Sequence, residues 1–195
     1  MTRANTEIDL CVDEIKNRAD ANKPASKELE QKFGILLSAR QAETDFELCV
    51  RELAPLNRSV AVLFVDIDNF KLLNTRYTEA VIDKTILPQA MRLVKELACL
   101  RGNAYRYGGE EFLVILPNVD ELEATSIAEK LRGEFKSTSF KVHEEVNNLT
   151  VSIGVALWPY HGSTYDDVLE RANQAEKKAK GQKNTWLVAN SDVKD

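Results

Sequence analysis

Two short acidic stretches carry the residue types in this chain that could do chemistry. Residues 105–116, Tyr-Arg-Tyr-Gly-Gly-Glu-Glu-Phe-Leu-Val-Ile-Leu, set Gly108, Gly109, Glu110 and Glu111 between two strand-like runs. The glycine pair predicts a tight reversal and leaves room for a ligand to lie on bare backbone. Two adjacent carboxylates at such a tip repel each other unless a cation or proton intervenes, so the tip suggests a divalent-metal or phosphate site. A solvated turn is the plain alternative. The second stretch is Val60-Ala-Val-Leu-Phe-Val-Asp66, a continuous apolar run of the kind buried on both faces of a sheet, ending in a carboxylate. Asp66 and Asp68 then stand at a strand end, where ligands of open sheets collect, although Asp68 is equally placed to cap the helix opening at Asn69. One strand-end acid and one hairpin acid suit Mg²⁺, a hard ion that takes oxygen ligands and keeps water or phosphate.

The motifs also recur in a recognisable order. Asp66-Ile-Asp-Asn-Phe-Lys71, Asn74, Asp83, Arg106-Tyr-Gly-Gly-Glu-Glu-Phe112 and Val151-Ser-Ile-Gly-Val-Ala156 together resemble a GGDEF domain, the family of the diguanylate cyclases, over roughly residues 30–190. The ordered set is far more specific than the GGEEF string at 108–112 alone. The resemblance implies that two GTP molecules are condensed into cyclic di-GMP and pyrophosphate with Mg²⁺ or Mn²⁺, in a homodimer that brings two sites together. It implies metal ligation by Asp66, the Ile67 carbonyl, Glu110 and Glu111, with Glu110 and Glu111 also catalytic. Glu111 is either the base for the 3′-hydroxyl or a metal partner. Gly108 and Gly109 would lie against the nucleotide.

Asn74 and Asp83 match the family's spacing for the pair that reads the guanine edge. An amide satisfies purine acceptors, and a carboxylate accepts from guanine N1–H and its 2-amino group, donors that adenine lacks. Taken singly, Asn74 also fits a helix C-cap and Asp83 an exposed helix acid. Phe70, Lys71, Lys180 and Lys183 complete the expected substrate contacts, the lysines as phosphate ligands or as solvated helix-end charges.

Several positions depart from the family pattern. The segment Asn74-Thr-Arg-Tyr-Thr-Glu-Ala-Val-Ile-Asp83 keeps the ends of the usual Asn-Asp-x-x-Gly-His-x-x-Gly-Asp and loses its middle. The N-terminal signature is eroded over Gln31–Arg40, and Ala172–Lys180 lacks the usual Leu-Tyr pair, leaving the register of Lys180 and Lys183 open. Cys99 and Gly102 occupy the positions of the Arg-x-x-Asp product-inhibition site, so no such site is expected: neither residue can clamp the phosphates and guanine of a cyclic dinucleotide. These losses keep a second reading open, a catalytically degenerate domain that serves as a GTP-binding sensor or protein-interaction module.

Elements to hold these residues follow from the patterning. Expected strands cover 60–66, 104–107, 111–117, about 140–143, 149–156 and 184–189. Expected helices cover 7–20, 28–53 with a break near Gly34, 69–76, 79–100, 121–137 and 164–180. The predicted fold is α/β, a mixed, mostly antiparallel central sheet flanked by helices, a palm-type sandwich like the nucleotidyl cyclases. Residues 1–29 read as a helical extension or linker broken at Ala21–Ser26, residues 30–190 as the domain and 191–195 as a tail. The 195 residues carry a net charge of −5, which gives no basic footprint for nucleic acid. No apolar run spans a bilayer, no leader is apparent, and three scattered cysteines make no disulfide framework, so a cytoplasmic protein without membrane contact is expected. The residues before 30 are too few for a sensory domain, so an upstream sensory partner is expected.

Overall fold

A computed structural model describes residues 27–190; the expected helix at 7–20, the break ending at Ser26 and the tail from 191 lie outside them. The order is β1 (Leu37–Ser38), α1 (Ala39–Leu53), β2 (Val60–Ile67), α2 (Phe70–Arg76), α3 (Glu79–Lys84), α4 (Ile86–Ala98), β3 (Asn103–Arg106), β4 (Glu111–Pro117), α5 (Glu121–Ser137), β5 (Phe140–Val142), β6 (Glu145–Asn147), β7 (Val151–Trp158), α6 (Tyr165–Ala179) and β8 (Thr185–Val188). A six-stranded sheet runs β1-β3-β4-β2-β7-β8, and β5 and β6 form a separate hairpin. The three central pairings are antiparallel, while the edge strands β1 and β8 pair in parallel, so the sheet is mixed and mostly antiparallel as expected.

Strand alternation divides the molecule into two packed layers. Ala61, Leu63, Val65 and Ile67 of β2 face one core with α4 and α5, and Val60, Val62 and Phe64 face a second core with α1 and α6. Asp66 continues the second series and therefore points toward α6. In β4 the same rule puts Phe112, Val114 and Leu116 in the first core and Leu113 and Ile115 in the second. Helix α6 lies close on β7. A Cβ built on Gly154 would meet the Ala172 carbonyl oxygen at 1.9 Å and the Glu176 nitrogen at 2.4 Å, so glycine sets the approach of the helix that carries Glu176 and Lys180. On the α1 side, Tyr105 donates to Asp45 Oδ2 at 2.9 Å and Gln41 to Oδ1 at 2.6 Å, a buried link between β3 and α1.

Four expected elements differ. The helix expected over 28–53 begins only at Ala39. Before it, Gly34 turns at φ 64° and the Glu30 carboxylate accepts from the backbone of Lys32 and Phe33, which commits residues 30–34 to turns. Ser38 then caps α1 by accepting from Gln41 N. The helix expected over 79–100 is broken at Thr85, because Pro88 has no N–H to donate back to Lys84 and sits in a new first turn instead. The single strand expected near 140–143 is one arm of the β5–β6 hairpin, reversed at His143 with φ 53°. Asp68 does not cap α2. Asn69 holds that position at φ 57° with no side-chain cap bond.

Candidate active site

Sheet register assembles the acids. Asp66 at the end of β2 lies directly opposite Glu111 at the start of β4, and the Ile67 N–H donates to the Glu110 carbonyl at 3.3 Å. The hairpin tip is held from beside it by Arg106, whose guanidinium donates to the Gly108 carbonyl at 3.0 Å and the Gly109 carbonyl at 3.3 Å, pairs with Glu30 at 3.5 Å and rests on the Phe33 ring. Neither Gly108 nor Gly109 has a positive φ, so the reversal does not rest on left-handed backbone as the sequence suggested. The two positions differ in the space around them. The Glu111 carboxylate folds over Gly108, 2.2 Å from where a Cβ would stand, and Gly109 is open.

Asp66 is nearly sealed from solvent at 4% exposure, with Lys180 of the α6 end reaching its Oδ2 at 2.6 Å. Burial lifts its carboxyl from 3.8 to about 6. Lys180 pulls the other way, and the charges of Glu110 and Glu111 add to the rise. Glu176, one helical turn before Lys180, is also buried and stands 4.0 Å from the Lys180 ammonium. Burial, and then the charge of Asp66, raises its carboxyl to about 7. Burial works to lower the Lys180 pKa, but the hydrogen bond to Asp66 and the surrounding acids outweigh it and raise it. Asp68 stays out of this cluster. It accepts from Ser152 Oγ at 2.7 Å, Thr150 Oγ1 at 2.6 Å and Asn184 N at 2.8 Å, which ties β2 to β7 and to the loop before β8.

Asp66 Oδ1 is a buried carboxylate oxygen with no hydrogen-bond partner, the feature that best fits a divalent cation here. Among the described residues no three His, Cys, Asp or Glu side chains converge into a preformed cage. Mg²⁺ binds through one or two carboxylates and completes its shell with water and substrate phosphate.

On the other side of the hairpin a cavity of about 320 Å³ is lined by Phe70, Asn74, Ile82, Asp83, Leu87, Gly109 and Glu110, together with Lys32, Glu79 and Arg106. Asn74, Asp83, Phe70, Gly109 and Glu110, expected from sequence at one substrate site, thus share one cavity, while sheet register sets Glu111 opposite Asp66. The other candidates stand elsewhere. Lys71 is exposed on α2 and off the cavity wall. Lys183 donates to Asn69 Oδ1 at 2.7 Å beside the start of α2. Sequence reading missed Lys32, Glu79, Arg106 and Glu176 as site residues. Arg106 had a signal in its place next to the glycines; Lys32 had none, because its partner Asp83 is distant in the chain and on a different element.

Cys99 is exposed and Gly102 is pressed against β4, where a Cβ would meet the Ile115 carbonyl oxygen at 1.9 Å. Among the described residues no helix is long and apolar enough to cross a membrane.

Known proteins align with this arrangement. Residues 36–185 match the family model "Diguanylate cyclase, GGDEF domain". Diguanylate cyclase A of Treponema denticola is 31% identical over 154 residues, 75% of this chain, and the match spans only 41% of that protein. The active GGEEF domain of a diguanylate cyclase from Vibrio cholerae superposes with a TM-score of 0.73 at 26% identity, over 80% of this chain and 99% of that one. The GGDEF domain of DgcB from Caulobacter crescentus, solved with c-di-GMP, superposes with a TM-score of 0.76 at 25% identity over 87% and 97% of the two chains. The fold, the acid hairpin facing a strand-end aspartate, and these matches together make the chain a member of the GGDEF family of diguanylate cyclase domains.

Proposed function

We propose that the domain condenses two GTP molecules into cyclic di-GMP, releasing pyrophosphate at each phosphodiester formed. The observation that carries this reading is the cross-strand pair of Asp66 and Glu111 beside a cavity containing Asn74 and Asp83, acids for phosphoryl chemistry next to groups that match guanine. The c-di-GMP complex of the DgcB domain supports the same product class.

In this reading Asn74 and Asp83 hold the guanine edge, and Gly109 lets the nucleotide pass along the hairpin toward Asp66. Asp66, the Ile67 carbonyl and Glu110 would hold Mg²⁺ or Mn²⁺, with Asp66 Oδ1 offering the vacant lone pairs. Bound there, the ion supplies charge neutralisation for the triphosphate and acidifies the attacking hydroxyl. Glu111 takes the proton of the 3′-hydroxyl, the 3′-oxygen bonds to the α-phosphorus of the partner's GTP, and the bond to pyrophosphate breaks in line. Lys180 and Lys183, at the same end of the sheet, supply positive charge for the phosphates. Each domain contributes one GTP, so ring closure requires two copies in an isologous arrangement. With GTP as substrate, the reaction belongs in the cytoplasm.

A second reading has its own observation. Lys180 occupies Asp66 and Lys32 occupies Asp83, so both key acids are already ion-paired, as in a binding module without turnover. Incubation with GTP and Mg²⁺ separates the two. Cyclic di-GMP should form with the native chain and be lost in Glu111→Gln, which should still bind GTP and melt as the native protein does. Equal product from both proteins removes Glu111 from the chemistry, and GTP binding with no product from the native chain selects the second reading.

A further inference from the structure

Lys32 lies in the eroded N-terminal signature, where no lysine role was expected, yet it lines the cavity that holds Asn74 and Asp83. It pairs with Asp83 Oδ2 at 2.6 Å and with Glu79 Oε1 at 3.6 Å, and it stands over the edge of the Phe33 ring, 5.5 Å from the centroid. Asp83 is the more enclosed partner, its side chain 19% exposed against 47% for Lys32, and both residues line the cavity. Glu79 is one of the residues that interrupt the usual middle of the Asn74–Asp83 segment. It adds a second acid to the rim, and Lys32 is the cation that answers both.

The donor inventory gives this arrangement a use. A lysine ammonium has three N–H groups and no acceptor. Asp83 takes one of them at 2.6 Å, and Glu79, 3.6 Å away, is held by charge without a hydrogen bond, which leaves N–H groups for an acceptor inside the cavity. Guanine presents acceptors, O6 and N7, beside the N1–H and 2-amino donors that suit Asp83. Adenine presents an amino group where guanine has O6, and an ammonium cannot accept from it. We propose that Lys32 is a base-reading residue of this domain, donating to the O6 edge of guanine while Asp83 accepts from the N1–H side. The inference rests on the reading of this cavity as the guanine site. It changes what the lysine–aspartate ion pair means: Asp83 is not blocked by Lys32 but joined with it into an acceptor–donor pair complementary to guanine's donor–acceptor edge. A carboxylate by itself would exclude adenine only through lost hydrogen bonds, whereas the pair adds a donor facing a donor.

The experiment compares GTP with 6-thio-GTP, which keeps N1–H and the 2-amino group and replaces O6 by a weakly accepting sulfur. Binding is measured by calorimetry on the full chain in EDTA, for the native protein, Lys32→Met and Lys32→Arg. Contacts to Asp83 are common to both nucleotides, so the ratio of the two affinities isolates the O6 edge. The native protein should favour GTP by roughly three- to tenfold, the size of a charge-assisted hydrogen bond at a partly exposed position. Lys32→Met should collapse that ratio toward one and weaken GTP, and Lys32→Arg should restore most of it. An unchanged ratio in Lys32→Met, or tighter GTP binding by that variant, overturns the assignment of Lys32 and leaves the guanine site standing. No preference of the native protein for GTP over ATP overturns both. Matching thermal melts for all three proteins guard the comparison against a folding defect.

Discussion

Burial opposes the ionisation of Asp66, with two glutamates reinforcing that effect and Lys180 counteracting it, and this gives the site a pH signature in stability as well as in chemistry. An acid whose carboxyl rises from 3.8 to about 6 on folding binds its proton more tightly in the native state. Its burial therefore costs least below pH 4, and the cost grows as pH rises through 6. Glu176, lifted from 4.5 to about 7, acts in the same direction over a slightly higher window. Asp66→Asn resembles the protonated acid, so in metal-free buffer it should gain stability relative to the native chain as pH goes from 4 to 8, by of order 2 kcal/mol. Urea unfolding of both proteins across that range reads the effect, and parallel pH profiles would discard it. Cation affinity should show the mirror image, weakening in the native protein as pH falls through about 6 because a proton competes for Asp66.

At the scale of elements, the close contact of the α4–β3 turn with β4 restricts what can stand at position 102, one of the two positions at which no product-inhibition site is expected. Gly102 sits where a side chain would run into the Ile115 carbonyl, so this turn cannot simply exchange glycine for the aspartate of the Arg-x-x-Asp pattern. Cyclic di-GMP at micromolar concentration should leave the initial rate of the native domain unchanged. Adding Cys99→Arg and Gly102→Asp together should destabilise the fold by roughly 1–3 kcal/mol through forced displacement of β4, and should not create strong feedback. Rates and melts with and without cyclic di-GMP test both statements. Inhibition of the native domain mapped to the Cys99–Gly102 surface would contradict the first.

For the whole molecule, the reach of one site is the deciding constraint. Asp66 and Glu111 pair across β2 and β4, Glu110 beside them lines the cavity, and in the proposed function each domain holds one GTP there. A ring with two phosphodiesters needs a second copy. The initial rate per domain should therefore fall on dilution once the working pair dissociates, and an excess of Glu111→Gln protein mixed with the native chain should suppress it. Turnover that stays constant per domain across dilution, in a sample shown to be monomeric by light scattering, would rule out the paired mechanism.

Much of this was legible in the sequence. The apolar run 60–66 read as a doubly buried strand, helix 121–137 and strand 111–117 came out at their observed bounds, and the ordered acids and glycines pointed to a GGDEF domain. These features are local, set by periodicity and residue type within a few positions. Elements that failed were decided by non-repeating details: the Glu30 carboxylate and Gly34 turned a helical pattern into loops, and Pro88 cut one helix into two. Adjacent Glu110 and Glu111 looked alike in sequence, yet Glu110 lines the cavity and Glu111 stands opposite Asp66 in the strand register, with both charges acting on Asp66. The partners of the acids came only from the tertiary structure. Lys180 reaches Asp66 across 114 positions, and Lys32 reaches Asp83 from a turn with no regular pattern. Such contacts depend on how the layers pack, with Gly154 fixing the depth of α6 and the Glu30 turn fixing Lys32, and no local spacing encodes the distance between them.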